Sequence, residues 1–156
     1  EFVFVTEGSG VKNLYVKRSG SVDRIDVNWL LENQEHGGLP YGKMEMNSVE
    51  IFTFTLREVP PLVHEILKKN KLSMADIDLF IFHQANAFLL SILRRKLKIP
   101  EEKFYVCIEH VGYTISGTIP IALKEAIKEG KAKKGDKILL AAFGIGYSWC
   151  GTVITL

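Results

Sequence analysis

From Ile77 to Leu156 the chain alternates short apolar runs with helical patterns, and no other feature constrains its fold as strongly. The spacing predicts strands over 77–82, 104–108, 138–143 and 150–156, with helices over 87–97 and 118–129 between the first three. Pro100 closes off the first helix, Pro120 lies in the first turn of the second, and Gly130 stops it. Strands that alternate with helices imply a mostly parallel sheet with helices packed on it, an α/β fold. The final two strands are joined only by a short Gly-x-Gly turn, too short for a crossover, so that pair is expected antiparallel.

Upstream the signals are mixed. Asn47 and Glu50 resemble a capping box, and Ile51, Val59, Leu62, Val63, Ile66 and Leu67 follow largely at helical spacing. Pro60-Pro61 interrupts them, so a kinked helix or two helices meeting there is expected. Near the N-terminus, the apolar stretches 2–5 and 14–16 flank Gly8-Ser9-Gly10 and suggest two extended segments joined by a tight turn. Residues 19–43 are polar and Gly-rich around Gly37-Gly38-Leu39-Pro40, and they read as a long loop. In a compact domain such a loop is either functional or poorly ordered.

A length of 156 residues fits one domain, residues 1–156, with a sizeable core. Twenty basic against 18 acidic residues give a net charge of +2 and no overall push toward nucleic acid or an acidic partner. The apolar runs are far too short to span a bilayer, and there is no N-terminal signal pattern. Cys107 and Cys150 are too few for a disulfide framework and lie in apolar stretches, so they read as small buried hydrophobes. A reducing, cytoplasmic location fits that usage.

In open α/β sheets ligands bind beyond the carboxyl ends of the strands. His83, the segment 111–114 and the turn 144–146 all follow predicted strand ends, so they are expected on one edge of the sheet. His83, followed by Gln84 and Asn86, places an imidazole that changes charge near neutral pH. Spacing alone leaves a catalytic role and a purely structural hydrogen bond level. The turn Gly144-Ile145-Gly146 could offer backbone N–H groups to a developing oxyanion. Taken alone, a hairpin turn that needs glycine is the commoner meaning. It is no dinucleotide fingerprint, since the third glycine and the following helix are missing, and Gly8-Ser9-Gly10 fails the same test.

The remaining polar residues point to less. His110 lies three residues after Cys107, but no second pair has zinc-site spacing and no metal site is expected. His36 and His64 default to solvent or local hydrogen bonds. The run Arg94-Arg95-Lys96-Lys98 suits the negative end of its helix, or would meet an acidic partner. The lysines between 131 and 137 read as a solvated loop. No nucleophile stands out.

His83-Gln84-Ala85-Asn86 resembles the His-Gln-Ala-Asn motif of the β-ketoacyl-acyl carrier protein synthase III family, in the thiolase superfamily. The resemblance continues through Glu50-Ile51-Phe52, Ile77-Asp78-Leu79, Gly112-Tyr113-Thr114 with Ile119-Pro120 and Ala122-Leu123, and 143–149. The whole chain is similar to the C-terminal half of such an enzyme. That implies a thiolase-like half in three layers, α/β/α, with a mixed sheet whose last strand is antiparallel. The family's Gly-Asp-Gly strand is expected to be missing, with the edge of the last strand covered by residues 2–5 or by another chain. The start at Glu1 would then be an internal boundary.

The family implies an acyl-enzyme on a cysteine, attacked by a carbon nucleophile formed as malonyl-carrier protein loses carbon dioxide. His83 would be the catalytic histidine, Phe143 would pack at the cysteine, and the Ile145 N–H would serve the oxyanion. Gln84, Asn86, Gly144 and Gly146 would border the substrate arm, and Arg95 and Lys96 would meet the acidic carrier. The resemblance also implies coenzyme A or acyl carrier protein thioesters as substrates with no further cofactor, a homodimeric parent protein, a role in fatty acid biosynthesis, and no nucleic-acid or membrane partner.

Two departures matter. Neither Cys107 nor Cys150 occupies a nucleophile motif, and a thiol without its activating histidine and helix N-terminus stays largely protonated. The chain alone is therefore expected neither to form an acyl-enzyme nor to condense, and a cysteine-bearing N-terminal half is required. Tyr113 stands where the family has the asparagine of Gly-Asn-Thr, and a phenol cannot present an amide fork. This implies either acyl transfer to a preformed amine, alcohol or other nucleophile, or a pocket-filling aromatic. A third possibility is a non-catalytic subunit that docks a cysteine-bearing partner.

Overall fold

The computed structural model describes residues 1–16, 27–32 and 44–156. Its elements are β1 (Val3–Thr6), β2 (Leu14–Val16), α1 (Val27–Glu32), β3 (Met44–Met46), α2 (Ser48–Lys69), β4 (Leu79–Phe82), α3 (Ala87–Lys96), α4 (Ile108–Val111), α5 (Thr118–Lys128), β5 (Lys137–Gly144) and β6 (Ser148–Thr155). The main sheet has the order β1-β6-β5-β4. Strands β4 and β5 are parallel, from Leu79↔Ile138 to Phe82↔Ala141. Strand β6 runs antiparallel to β5 and β1 antiparallel to β6, so the sheet is mixed, as expected.

One short strand shows why three layers form. All four residues of β4 are buried. Side chains alternate faces along a strand. Leu79 and Ile81 therefore join Ala122 and Ala126 of α5, while Phe80 and Phe82 join Val63 and Ile66 of α2 and Leu90 and Leu93 of α3. Burial on both faces explains why β4 reads as a continuous apolar run. Each such side chain contributes about 1.5–3 kcal/mol through removal from water.

Helix α2 runs unbroken through the proline pair. Asn47 Oδ1 accepts the Glu50 N–H at 3.2 Å, so Asn47 is the cap, but its own N–H goes to Asn13 O at 2.8 Å and the reciprocal half of the expected capping box does not form. Pro60 has no N–H to give to the carbonyl of Leu56, four residues back. Lys96 supplies the donor instead, with Nζ 2.9 Å from that oxygen. Two helices meeting at the prolines are therefore not found.

The predicted strand over 104–108 shrinks to a single parallel bridge, Phe80↔Phe104, with the Tyr105 N–H on Phe80 O at 3.0 Å. The Gln84 amide takes over from there. Its Nε2 donates to Phe82 O (2.8 Å) and lies 3.4 Å from Tyr105 O, and its Oε1 accepts the Cys107 N–H at 3.0 Å. A side chain thus occupies positions a strand ladder would fill, and from Ile108 the backbone turns into α4.

The N-terminal pattern also resolves differently. A six-residue 3-10 helix, Gly8–Asn13, joins β1 to β2, and the two strands do not pair with each other. Gly10 is needed there because a Cβ would collide with the Tyr147 ring. Strand β2 pairs with β3 in a small second sheet. Strand β1 lies along β6 from Val3↔Gly151 to Thr6↔Ser148. Of the two ways expected to cover that edge, the chain uses its own N-terminal residues. Of the predicted loop over 19–43, residues 27–32 form α1 and the others lie outside the described residues. Among the described residues no helix is long and apolar enough to cross a membrane.

Candidate active site

Because β4 and β5 are parallel, their carboxyl ends share one edge of the sheet. His83 is the first residue beyond β4, and its N–H donates to Ala141 O at 2.8 Å. That bond carries the ladder one step past the strand and fixes the backbone beneath the imidazole. On the ring, Nδ1 lies 2.7 Å from the hydroxyl of Thr118, the buried first residue of α5. The same hydroxyl donates to Ile115 O at 3.1 Å. The ring packs edge-on against Phe143 (centroids 5.4 Å apart) and Tyr113 (5.5 Å). Burial pushes the His83 pKa below its ordinary 6.5, so the ring is neutral at neutral pH.

A cavity of about 430 Å3 opens beside this ring, bordered by His83, Tyr113, Phe143, Gly144, Ile145 and Trp149. Tyr113 arrives through Gly112, whose φ of +70° favours glycine, and it is 58% exposed. Phe143 is buried at the end of β5. Ile145 sits in the turn between Gly144 and Ser148, the last pair of the β5–β6 ladder, and its side chain is exposed. Gly146 is required, since it has φ +140° and a Cβ would stand 3.1 Å from the Ser148 N.

The four motif residues divide their labour. His83 faces the cavity. Gln84 is completely buried and committed to backbone groups, so it braces the loop and cannot line the substrate arm as expected. Asn86 caps α3, its Oδ1 accepting the Leu89 N–H at 2.8 Å. Ala85 packs against the core on the α2–α3 side of the sheet.

Arg95 and Lys96 lie at the far end of α3, away from the cavity. Arg95 is exposed, with Nε 3.3 Å from Ser91 O, while Lys96 is engaged with Leu56 O. Burial pushes the Cys107 and Cys150 thiols up, opposite to what an activated nucleophile needs. Cys107 is buried under α5, and Cys150 borders the cavity. Among the described residues no group of three or more His, Cys, Asp or Glu side chains could hold a metal ion.

Thr118 is the residue the sequence reading missed. It stood out only as a helix start, and its separation of 35 positions from His83 carries no periodic signal. The available hint was a hydroxyl in the first turn of the helix that follows Tyr113.

The family described as 3-oxoacyl-[acyl-carrier-protein (ACP)] synthase III C terminal matches residues 67–156. A β-ketoacyl-[acyl-carrier-protein] synthase III from Clostridium tetani is 36% identical over 149 residues, covering 96% of this chain and 45% of that protein. The chain belongs to the 3-oxoacyl-[acyl-carrier-protein] synthase III family. A crystal structure of a synthase III superposes with a TM-score of 0.89 at 37% identity, covering 100% of this chain and 47% of that one. The synthase III from Thermus thermophilus superposes with a TM-score of 0.84 at 33% identity, covering 99% and 45%.

The chain therefore spans about half the length of the synthase III relatives it matches, and the matching family description is their C-terminal part. The thiolase-like half expected from the sequence is the fold observed. Within it, His83, Tyr113, Phe143, Gly144 and Ile145 share one cavity, whereas Gln84, Asn86, Arg95, Lys96 and Gly146 are not among the residues that line it.

Proposed function

We propose that the protein carrying this chain is an acyltransferase that condenses acyl thioesters in fatty acid biosynthesis, and that this chain supplies the histidine side of its site. The observation that supports this best is His83, fixed at the sheet edge with its ring in an apolar-walled cavity beside the turn at Ile145. In the proposed reaction a cysteine outside this chain takes the acyl group from a thioester and releases the free thiol arm. A malonyl thioester then loses carbon dioxide. The resulting carbanion attacks the acyl carbonyl, and the cysteine thiolate leaves as the β-ketoacyl thioester forms. His83 would stabilise the thioester enolate, and the Ile145 N–H the oxyanion of the acyl group. Preorganised donors in such a site are worth about 2.7–4 kcal/mol each.

The substrates under this reading are acyl-coenzyme A or carrier-protein thioesters, and the chemistry calls for no further cofactor. Arg95, exposed at the end of α3, is the cation best placed for an acidic carrier, with Lys96 behind it. A cysteine-bearing N-terminal half completes the site, within a homodimer in the cytoplasm. The free cysteines Cys107 and Cys150 agree with a reducing compartment.

One observation favours a second reading. Tyr113 sets its ring against His83 where the family has an amide. With one hydroxyl in place of the amide fork, decarboxylation would be poor, and the acyl group would pass to a preformed amine or alcohol. The full-length protein, given acyl-coenzyme A and malonyl-carrier protein, separates these by mass spectrometry. A β-ketoacyl product supports condensation. An acyl-cysteine that discharges only to an added amine or alcohol supports the second reading. No acyl-cysteine at all would overturn both. The same measurement on residues 1–156 alone is expected to show no acylation.

A further inference from the structure

A second cavity, of about 400 Å3, shares no lining residue with the one beside His83. It lies at the open end of the main sheet, where the 104–106 segment extends past β4. Helix α3 also borders it, as do Glu129 and Lys131, just after α5.

Tyr105 brings to this cavity a phenol that the fold does not use. The residue is 7% exposed, and its hydroxyl is buried without a hydrogen-bond partner among the described residues. Phenylalanine would fill the same space without burying an unpaired hydroxyl, so packing does not account for the tyrosine. Burial raises the phenol's pKa, and the Glu129 carboxylate raises it further while standing outside hydrogen-bond reach. Because Glu129 borders the same cavity, the hydroxyl end of the ring faces that part of its wall.

The charges around the gap select the ligand's class. Arg94 is spent, with Nη1 3.2 Å from Ile99 O and Nη2 3.2 Å from Glu101 Oε2. That leaves the Glu102 and Glu129 carboxylates, with no ion pair among the described residues, against the single ammonium of Lys131. A carboxylate beside an unpaired phenol calls for a group that donates to both. A protonated amine carries three N–H donors and no acceptor, and it supplies the missing positive charge. Ala87, Phe104 and Val106 offer apolar surface for its hydrocarbon body.

We propose that this cavity is a binding site for a small organic amine, held as its ammonium between the Tyr105 hydroxyl and the Glu129 carboxylate. The site does not depend on the acyl-transfer reading, and either can fail without the other.

Calorimetric titration of the full-length protein with three probes of one shape and different charge tests this. The probes are 2-phenylethylamine, 2-phenylethanol and phenylacetate. The amine is expected to bind one per chain, and the neutral and anionic probes at least about tenfold more weakly. Tyr105→Phe and Glu129→Gln are each expected to weaken the amine about tenfold, the worth of one charge-assisted hydrogen bond, and to leave acyl transfer unchanged. Tyr105→Phe removes only an unpartnered oxygen, and its thermal transition checks that it folds. Lys131→Ala is expected to tighten the amine by removing a like charge. No binding of any probe, as for a gap that holds water alone, would overturn the proposal. Equal binding of all three, or a folded Tyr105→Phe protein that binds the amine as tightly as wild type, would overturn it too.

Discussion

Lys96 Nζ donates to the carbonyl of Leu56 at 2.9 Å, the oxygen that Pro60 leaves without a helical donor. One exposed lysine on α3 thereby repairs a gap in α2 and ties the two helices together on one face of the sheet. It also gives Lys96 a structural duty that competes with docking a carrier.

Lys96→Ala should cost about 0.5–1.5 kcal/mol of folding stability, the usual worth of one hydrogen bond. Arg95→Ala should leave stability nearly unchanged and raise KM for carrier-protein substrates. Urea unfolding and carrier titrations on the two variants check this; a large KM effect confined to Lys96 would reverse the assignment.

Gln84→Leu should be far more damaging. It leaves the Cys107 N–H and the Phe82 carbonyl without their buried partner, at about 1–3 kcal/mol for each unsatisfied group. Gln84→Glu should also destabilise, because a buried carboxylate would face Phe82 O with no donor. Shifts in denaturation midpoint measure both changes.

Gly151→Ala probes the fit between β6 and its neighbours. A Cβ there would stand 2.5 Å from Leu140 O and would also strike the Ile66 side chain. Overpacking of this kind costs about 1–3 kcal/mol, and the backbone oxygen cannot swing aside. Thermal unfolding should show the loss, while Gly8→Ala, which meets open space, should be mild.

The buried imidazole predicts a pH dependence of definite sign. Folded His83 holds its proton less tightly than the unfolded value of 6.5. Above pH 6.5 both states are neutral and its contribution is fully present. As pH falls below 6.5 the unfolded chain binds a proton that the folded one refuses, so stability declines until the lowered folded pKa is reached. Unfolding free energies of wild type and His83→Gln across that window should differ in slope, with the wild type the more acid-sensitive.

Much of this was legible because it rests on local rules. The apolar run of β4, the Asn47 cap, and Pro120 and Gly130 at the two ends of α5 all announce themselves over a few residues. The strand expected over 104–108 misled because its apolar run is real, yet the Gln84 amide, some twenty positions earlier, takes its hydrogen bonds. The prolines of α2 misled for the same reason, since Lys96 lies outside any local window. At the site, His83 and the glycine turn were readable as residues that follow strands. Thr118 was not, because only the folding of α5 onto the sheet brings its hydroxyl to the ring.

The most direct test of the central claim is His83→Ala in the full-length protein, followed by single-turnover product formation from a pre-acylated enzyme. The expected result is a protein still acylated on its cysteine but slowed by about 10²–10⁴-fold in the step that uses the acyl group. A variant that turns over at the wild-type rate, with both a malonyl thioester and a preformed nucleophile, would contradict the claim.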